Sequence, residues 1–140
     1  MTDNTMLKNS TKITQIHCVQ NDGHGESVFS TRPIDLAGTN ERLLSEQISA
    51  LNFRLRQSNS SYTSDFHVAG DPTLLIILTG TLRVELRNGE YQDFSKGNLF
   101  IAEDFLHAET HFDETRHGHR ATVIGDEDLS ALHLKLEKRV

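Results

Sequence analysis

Five side chains able to carry protons or hold a cation stand out in the second half of the chain. His67 precedes the most apolar run of the sequence, the acidic pair Glu103 and Asp104 ends a short apolar segment, and His117 and His119 stand two residues apart. An imidazole titrates at about pH 6.5 when unperturbed, so it accepts or donates protons near neutrality. On an extended strand residues two apart share a face, which predicts that His117 and His119 point to the same side.

The same residues also have purely structural interpretations. His67 could form a hydrogen bond at the lip of a buried strand, a His-Gly-His segment is often a solvated turn, and an acidic pair commonly ends a strand or caps the next turn. Residues 103–119 are dense in histidine and acid. His107 and His111, four residues apart, would hold a metal only on a helix, and a solvated insertion is the favoured interpretation of this segment.

Composition and charge limit the class of protein. The 140 residues include 14 basic and 20 acidic side chains, which gives a net charge of -6 and argues against a nucleic-acid partner. The length is that of one domain. The longest apolar run, Leu74 to Leu78, is far shorter than the roughly 20 residues that span a bilayer. We therefore expect a cytoplasmic protein with no membrane partner, and its single cysteine, Cys18, is interpreted as structural.

One segment predicts a β-hairpin. Leu82, Val84 and Leu86 alternate with charged residues, and Asn88–Gly89 is typical of a two-residue type I′ turn. A two-residue loop would place Arg87 opposite Glu90 and Leu86 opposite Tyr91.

Other segments predict an all-β fold. Further strands are expected at residues 51–55, 74–78, 98–102, 119–125 and 129–136. The 74–78 run is typical of a strand buried on both faces, and only residues 40–48 could form a helical turn. Many short strands with almost no helix favour an antiparallel sandwich or barrel, with Leu75, Ile77, Leu82 and Val84 among its buried residues.

Three stretches, FHVAGDPTLLIILTG (66–80), NGEYQDFSKGNLFIAED (88–104) and HGHRATVIG (117–125), together resemble the two-motif core of a small single-domain bacterial cupin. His67 and Gly80 match the first motif of that family, and Gly89 and Gly97 match the second. The resemblance implies a double-stranded β-helix, a jelly-roll fold. It also implies a cupin barrel at residues 48–140 and an N-terminal segment, residues 1–47, whose strands pack on the barrel or on a dimer partner.

The chain departs from the family's motifs at several positions. Three of the four usual metal ligands are missing, so the standard cupin metal site is absent. An acidic pair followed by Gly-His is similar to a subgroup of small cupins. The substituted positions are Ser61, Ala69, Thr73, Ser95, Phe100 and Asp104.

The resemblance implies that the strand bearing His119 lies beside the segment bearing His67. His67, His119 and Asp104 or Glu103 would then form a non-standard site of two histidines and a carboxylate for a divalent metal such as Fe, Mn, Ni or Zn. Without a metal, His67 with Asp104 or His119 would form an acid–base pair, with His67 and Asp104 as the catalytic residues. The side chains expected around the ligand are Thr73, Phe100, Glu103 and His117.

The function that this resemblance implies is binding of a small organic molecule in the mouth of the barrel. One hypothesis is a metal-dependent enzyme with the non-standard site. The alternatives are a metal-free ligand-binding or epimerase-like or isomerase-like cupin, and a sensing module without catalysis. Whether the protein is an enzyme stays open at this point. The family's habit of pairing through an outer sheet face and N-terminal strands implies a homodimer.

Overall fold

The computed structural model describes residues 9–140, which form ten β-strands and no helix. No helix in this part of the chain is therefore available to cross a membrane. The strands are β1 (Asn9–Asn21), β2 (Ser27–Thr39), β3 (Arg42–Leu44), β4 (Ala50–Ser58), β5 (Thr73–Thr79), β6 (Thr81–Leu86), β7 (Tyr91–Ser95), β8 (Leu99–Glu103), β9 (His119–Ile124) and β10 (Leu129–Leu136).

The strands form two sheets. A seven-stranded sheet has the order β3-β2-β1-β8-β5-β10-β4, and a three-stranded sheet has the order β7-β6-β9. The two sheets are separate and do not close into one hydrogen-bonded barrel. Neighbouring strands are antiparallel except β1 and β8, which pair in parallel. The architecture is that of an all-β protein with two layers.

The core lies between the two sheets. Phe94 of β7 stacks on Phe100 of β8 with ring centroids 4.4 Å apart, which joins the layers. Each buried aliphatic or aromatic side chain contributes about 1.5–3 kcal/mol. The four residues predicted to be buried are confirmed as members of a core formed by Val19, Leu75, Ile77, Leu82, Val84, Leu86, Phe94, Phe100, Ala102, Ala121, Val123, Leu129 and Ala131.

The prediction that residues 74–78 are buried on both faces is wrong. Leu75 and Ile77 face the core, whereas Leu78 is 42% exposed. The reason is that β5 lies within the larger sheet, and successive side chains of a strand point to opposite faces. Only one face of that sheet packs against the smaller sheet.

The opposite face of β4, β10 and β5 is apolar and has no covering layer within residues 9–140. Leu55 pairs with Leu132, which pairs with Ile76, and Phe53 pairs with Leu134, which pairs with Leu74. Because paired residues lie on the same side of a sheet, these side chains form one surface. We call it the outer apolar face: Leu51, Phe53, Leu55, Leu74, Ile76, Leu132 and Leu134.

The hairpin after β6 is present, but its turn differs from the predicted type I′. Gly89 has a positive φ of 91°, and within the described chain only glycines have positive φ, so Asn88 does not. Gly89 N–H donates to the Leu86 carbonyl (3.1 Å), and Leu86 N–H donates to the Glu90 carbonyl (2.8 Å). These bonds close a three-residue loop with glycine in the left-handed position, another common hairpin connection.

The longer loop changes the strand register. Glu85, and not Leu86, pairs with Tyr91, while Arg87 lies in the loop instead of opposite Glu90. The predicted pairing was therefore wrong by one residue. Leu86 still reaches the core because the alternation along β6 is unchanged.

The N-terminal part of the chain is integral to the larger sheet. β1 and β2 form a hairpin of two 13-residue strands, and β1 pairs with β8. Residues 40–48 contain the short strand β3 and no helix, so the helical turn considered from the sequence is absent. Leu44 pairs with Ala37 of β2, so β3 forms an edge strand of the larger sheet.

Candidate functional site

A cavity of about 150 Å³ opens between the two sheets. Its lining combines an apolar floor with one arginine and three histidines. The lining residues are Arg56, His67, Ala69, Thr73, Leu75, Leu82, Val84, Phe100, Ala102, His119, Ala121 and His133.

The position of His67 is set by residues 63–67, which pair with β9 and which we call the crossing segment. The backbone N–H of His67 donates to the carbonyl of His119, and the N–H of His119 donates to the carbonyl of His67, both at 2.9 Å. Thr63 pairs with Thr122 further along the same segment. The two imidazole centroids lie 4.6 Å apart, so the structure brings His67 and His119 together in one cavity.

Gly118 permits this close pairing. Its φ is +92°, and a Cβ there would lie 2.5 Å from the carbonyl oxygen of His67. A side chain at this position would therefore push the His67 segment away from β9.

His119 is supported by a buried carboxylate. Its Nδ1 lies 2.6 Å from Oδ2 of Asp104, which also accepts a hydrogen bond from the Ser27 hydroxyl (2.5 Å). The Ala69 N–H donates to Oδ1 of Asp104 at 2.9 Å. Burial opposes ionisation of Asp104, but these three hydrogen bonds outweigh it and hold the carboxyl pKa below its ordinary value. Asp104 is therefore an anion that accepts the Nδ1 proton of His119, and His119 Nε2 is left available.

His67 has a weaker support. Its Nδ1 lies 3.0 Å from the carbonyl oxygen of Asp65, and a carbonyl only accepts hydrogen bonds, so Nδ1 carries the proton of the neutral ring. Burial lowers the pKa of His67, and the neighbouring His119 lowers it further. The neutral form is favoured, with a lone pair on Nε2.

Two cavity residues were missed by the sequence analysis, Arg56 of β4 and His133 of β10. Arg56 Nε donates to the Ser58 hydroxyl at 3.1 Å, and its guanidinium lies 5.0 Å from the Tyr62 ring centroid. His133 Nε2 is buried and has no hydrogen-bond partner within residues 9–140. Burial lowers the pKa of both side chains, and Arg56 lowers that of His133 further.

The sequence feature that could have identified these two residues is the alternation of polar and apolar positions along their strands. Along β4, Arg54 and Arg56 alternate with leucine and phenylalanine, and His133 stands between two leucines of β10. The sequence does not show which face of either strand is inward. In the structure the polar residue Arg56 lines the cavity and the leucines lie outside.

The remaining ligand-binding candidates separate into two groups. Thr73 and Phe100 line the cavity with His67. Glu103 and His117 do not line it.

Glu103 and Asp104 are adjacent in sequence but lie in different environments. The buried Glu103 carboxylate is paired with Arg32 and with Arg139 (3.2 Å), and it accepts a hydrogen bond from the Cys18 thiol (3.1 Å). This group is separate from the cavity that contains His119. Burial raises the pKa of the Cys18 thiol, which favours its neutral form.

His117 is buried beneath a different loop. Its Nδ1 accepts a hydrogen bond from Asp113 N–H at 2.9 Å, and its Nε2 is 3.0 Å from where a Cβ on Gly25 would lie. The positive φ of Gly118 breaks the extended backbone, so His117 and His119 are not on a common face as expected.

Of the three ligands expected for a metal, the two imidazoles are available and the carboxylate is not. His67 and His119 each retain one ring nitrogen, but both oxygens of Asp104 already accept hydrogen bonds. Within residues 9–140 no three histidine, cysteine, aspartate or glutamate side chains are arranged to hold a metal ion. These residues do not fit a three-ligand metal site as they stand, and metal binding stays a prediction.

The histidine-rich insertion is solvated as the sequence indicated. Residues 107–116, which include His107 and His111, are all exposed. They contribute nothing to the lining of the cavity.

Comparisons with known proteins add no relationship. No protein-family model matches the chain, and no curated protein matches it either.

Proposed function

We propose that this protein is a cupin-type protein that binds a small organic molecule in the cavity between its sheets. The observation that carries the proposal is the pair of imidazoles, His67 and His119, in one cavity, with His119 backed by the buried carboxylate of Asp104. A ligand site of this kind is a concave, mostly apolar pocket with a few convergent polar groups.

The proposed chemistry is acid–base and needs only residues of this chain. His119 accepts a proton at Nε2 while Asp104 stabilises the resulting imidazolium through Nδ1, as a carboxylate does for histidine bases in general. His67, with its free Nε2 lone pair, is the second proton acceptor of the cavity. This arrangement favours the metal-free alternative, because Asp104 is occupied in orienting His119.

The cupin assignment is supported by the residues that resemble the family's motifs and by the two-layered all-β architecture. His67 ends the crossing segment that pairs with β9. Gly80, with φ of +77°, forms the tight connection between β5 and β6, where a Cβ would lie 2.7 Å from the Asp128 carbonyl oxygen. Only glycine suits such a position.

The proposal includes a second copy of the chain as partner. The outer apolar face contains exposed Leu51, Phe53 and Leu55, at 61%, 68% and 72%, and a contiguous exposed apolar patch of this type marks an association site. An uncharged sheet face can stack on its own copy without like-charge repulsion, although the chain has a net charge of -6. The proposed location is the cytoplasm, which suits the single, unpaired Cys18.

The binding proposal is tested by nuclear magnetic resonance with isotope-labelled histidine. A panel of anionic, neutral and cationic molecules of about six non-hydrogen atoms, a size suited to a cavity of this volume, is titrated into the full chain. We expect at least one molecule to shift the ring signals of His67 and His119 together. If no member of the panel shifts either signal, the proposal is wrong.

A second measurement separates acid–base chemistry from simple binding. A bound molecule with an acidic C–H next to a carbonyl is incubated with the protein in D₂O. Exchange of that hydrogen for deuterium in the parent, and its loss in His119→Gln, supports proton transfer by His119. Binding without any exchange supports the non-catalytic sensing alternative.

A further inference from the structure

We infer that the ligand of this cavity is a small organic anion whose carboxylate is held by Arg56 and His133. The inference deepens the proposed function and rests on it, because it names the chemical class that the same cavity accepts. The juxtaposition that carries it is a partly buried guanidinium and an unpartnered imidazole nitrogen in the wall of one cavity.

Arg56 carries a positive charge that no acidic side chain neutralises within the described part of the chain. Other arginines form ion pairs there, such as Arg83 with Asp93 at 2.8 Å and Arg120 with Glu85. Arg56 has only the Ser58 hydroxyl and the Tyr62 ring as partners. A guanidinium has five N–H donors in a planar fork, so most of its donors remain for a ligand, and a carboxylate matches this geometry.

His133 supplies the second contact. Its Nε2 is shielded from solvent and has no partner among residues 9–140, and an unsatisfied buried polar atom is costly unless a ligand or water completes it. β10 pairs with β4 so that Ala131 lies opposite Arg56 and His133 opposite Arg54. Arg56 and His133 therefore lie on neighbouring strands of the same sheet, diagonal to each other, and both line the cavity.

The surroundings favour a negative ligand. The one carboxylate beside the cavity histidines, Asp104, is occupied by hydrogen bonds from His119, Ser27 and Ala69. Near His133, the exposed Asp71 is paired with Lys135 at 2.8 Å. The cavity wall thus presents Arg56 and three imidazoles to a bound molecule, with no free carboxylate to repel an anion.

Size limits the anion. A cavity of about 150 Å³ holds a molecule the size of benzene, about six non-hydrogen atoms. With a carboxylate on Arg56 and His133, the rest of such a molecule would lie among the other lining residues, which include Thr73, His67 and His119. A small hydroxy or keto acid has these dimensions.

The test uses two matched pairs of probes that differ in charge and hardly in shape: lactate with lactamide, and pyruvate with pyruvamide. Each is titrated into the ¹⁵N-labelled full chain at constant ionic strength, and the signals of Arg56 Nε–H and of the His133 ring are followed. We expect at least one acid to shift both signals and its amide to bind about tenfold more weakly or worse, because hydrogen bonds to a charged group are lost.

Variants locate the contact. Arg56→Gln is expected to weaken binding of the acid by about tenfold or more, and Arg56→Lys, which keeps the charge without the fork, by less. The matched control is Arg42→Gln, which removes the same charge at an exposed position of β3, away from the cavity lining. The control should change the dissociation constant by less than about threefold.

The outcomes separate the inference from the proposed function. Equal binding of acid and amide, or an equal effect of Arg42→Gln and Arg56→Gln, overturns the anion inference and leaves small-molecule binding in place. If only neutral molecules shift the ring signals of His67 and His119, the anion inference is also overturned and small-molecule binding remains. If no probe of any charge shifts the cavity signals, the proposed function fails and the inference fails with it.

Discussion

At the residue scale, His67 is held by few contacts, and its role is separable from stability. Within residues 9–140 its side chain bonds only locally, to the Asp65 carbonyl and the Ser64 hydroxyl, and the residue is solvent-exposed on one side. We expect His67→Ala to reduce ligand binding by about tenfold or more while changing the melting temperature by only a few degrees, because little core burial is lost. Titration calorimetry with the acid that binds best, beside a thermal melt, checks both.

His107→Ala is the matched control for His67→Ala. His107 is exposed in the insertion and does not line the cavity. Its substitution should leave both binding and melting temperature at the parent values. Unchanged binding in His67→Ala would remove His67 from the site.

The pH dependence of stability reports two partly enclosed histidines of the cavity, His67 and His133. Burial lowers the pKa of His67 and of His133 in the folded protein, whereas in the unfolded chain each titrates at about 6.5. As pH falls below about 7 the unfolded chain binds protons that the folded protein does not, so the free energy of unfolding decreases toward pH 5. Asp104 contributes to this pH dependence only at lower pH, because its pKa in the unfolded chain is about 3.9. Urea unfolding between pH 8 and pH 5 measures the decline.

His133→Gln separates the two histidines in this experiment. The variant lacks one of the two groups, so its decline between pH 7 and pH 5 should be smaller than that of the parent. Values at pH 8, where both rings are neutral, provide the baseline for each protein. A parent whose stability rises toward pH 5 would contradict the assignment of lowered pKa values.

At the element scale, the contact between the crossing segment and β9 depends on Gly118. Alanine at this position must adopt a left-handed φ and would also place its Cβ 2.5 Å from the His67 carbonyl oxygen. Gly125 has a similar φ of +82° with open space around it, so Gly125→Ala tests the backbone cost alone. We expect Gly125→Ala to lower the free energy of unfolding by about 1–2 kcal/mol and Gly118→Ala by about 1–3 kcal/mol more.

Hydrogen exchange of the backbone amides shows which part of the fold Gly118→Ala destabilises. The His119 amide donates to the His67 carbonyl in the parent and should lose protection in this variant. The amides of β5, in the larger sheet, should keep their protection against exchange once the lower global stability of the variant is taken into account. Equal destabilisation by the two alanine substitutions would mean that the close approach to His67 is not a constraint.

The elements differ in how well their sequences predict them. β10 occupies the predicted residues 129–136, and β8 and β9 agree with their predictions within one residue, because alternating apolar residues mark half-buried strands such as β9 and a short apolar run marks β8. The turn at Asn88–Gly89 was predicted at the right place with the wrong geometry. Two loop lengths satisfy the same residues there, and the strand register that decides between them is a property of the whole sheet.

At the scale of the whole molecule, the outer apolar face predicts self-association. Light scattering at micromolar concentration should give the mass of a dimer for the parent. Leu55→Asp places a charge at the centre of this face, next to Leu132, and should shift the mass to that of a monomer. Phe112→Asp adds the same charge at an exposed position in the insertion and serves as the control.

Two results would remove this association from the proposal. One is a monomer mass for the parent across a dilution series from about 100 μM, at which a dimer with a dissociation constant of about 10 μM is mostly associated. The other is a dimer that survives Leu55→Asp with an unchanged dissociation constant. Circular dichroism of the variant confirms that the mass change does not come from unfolding.

The sequence by itself determined the all-β class, most strand positions in the second half and four core residues, because these depend on local alternation and on burial of apolar side chains. Tertiary structure alone decided which faces of β4 and β10 are inward, and therefore that Arg56 and His133 line the cavity. It also separated Glu103 from Asp104 and His117 from His119. Adjacent residues on a strand point to opposite faces, and the positive φ of Gly118 redirects the chain, so the neighbours of each side chain come from distant segments that no local pattern encodes.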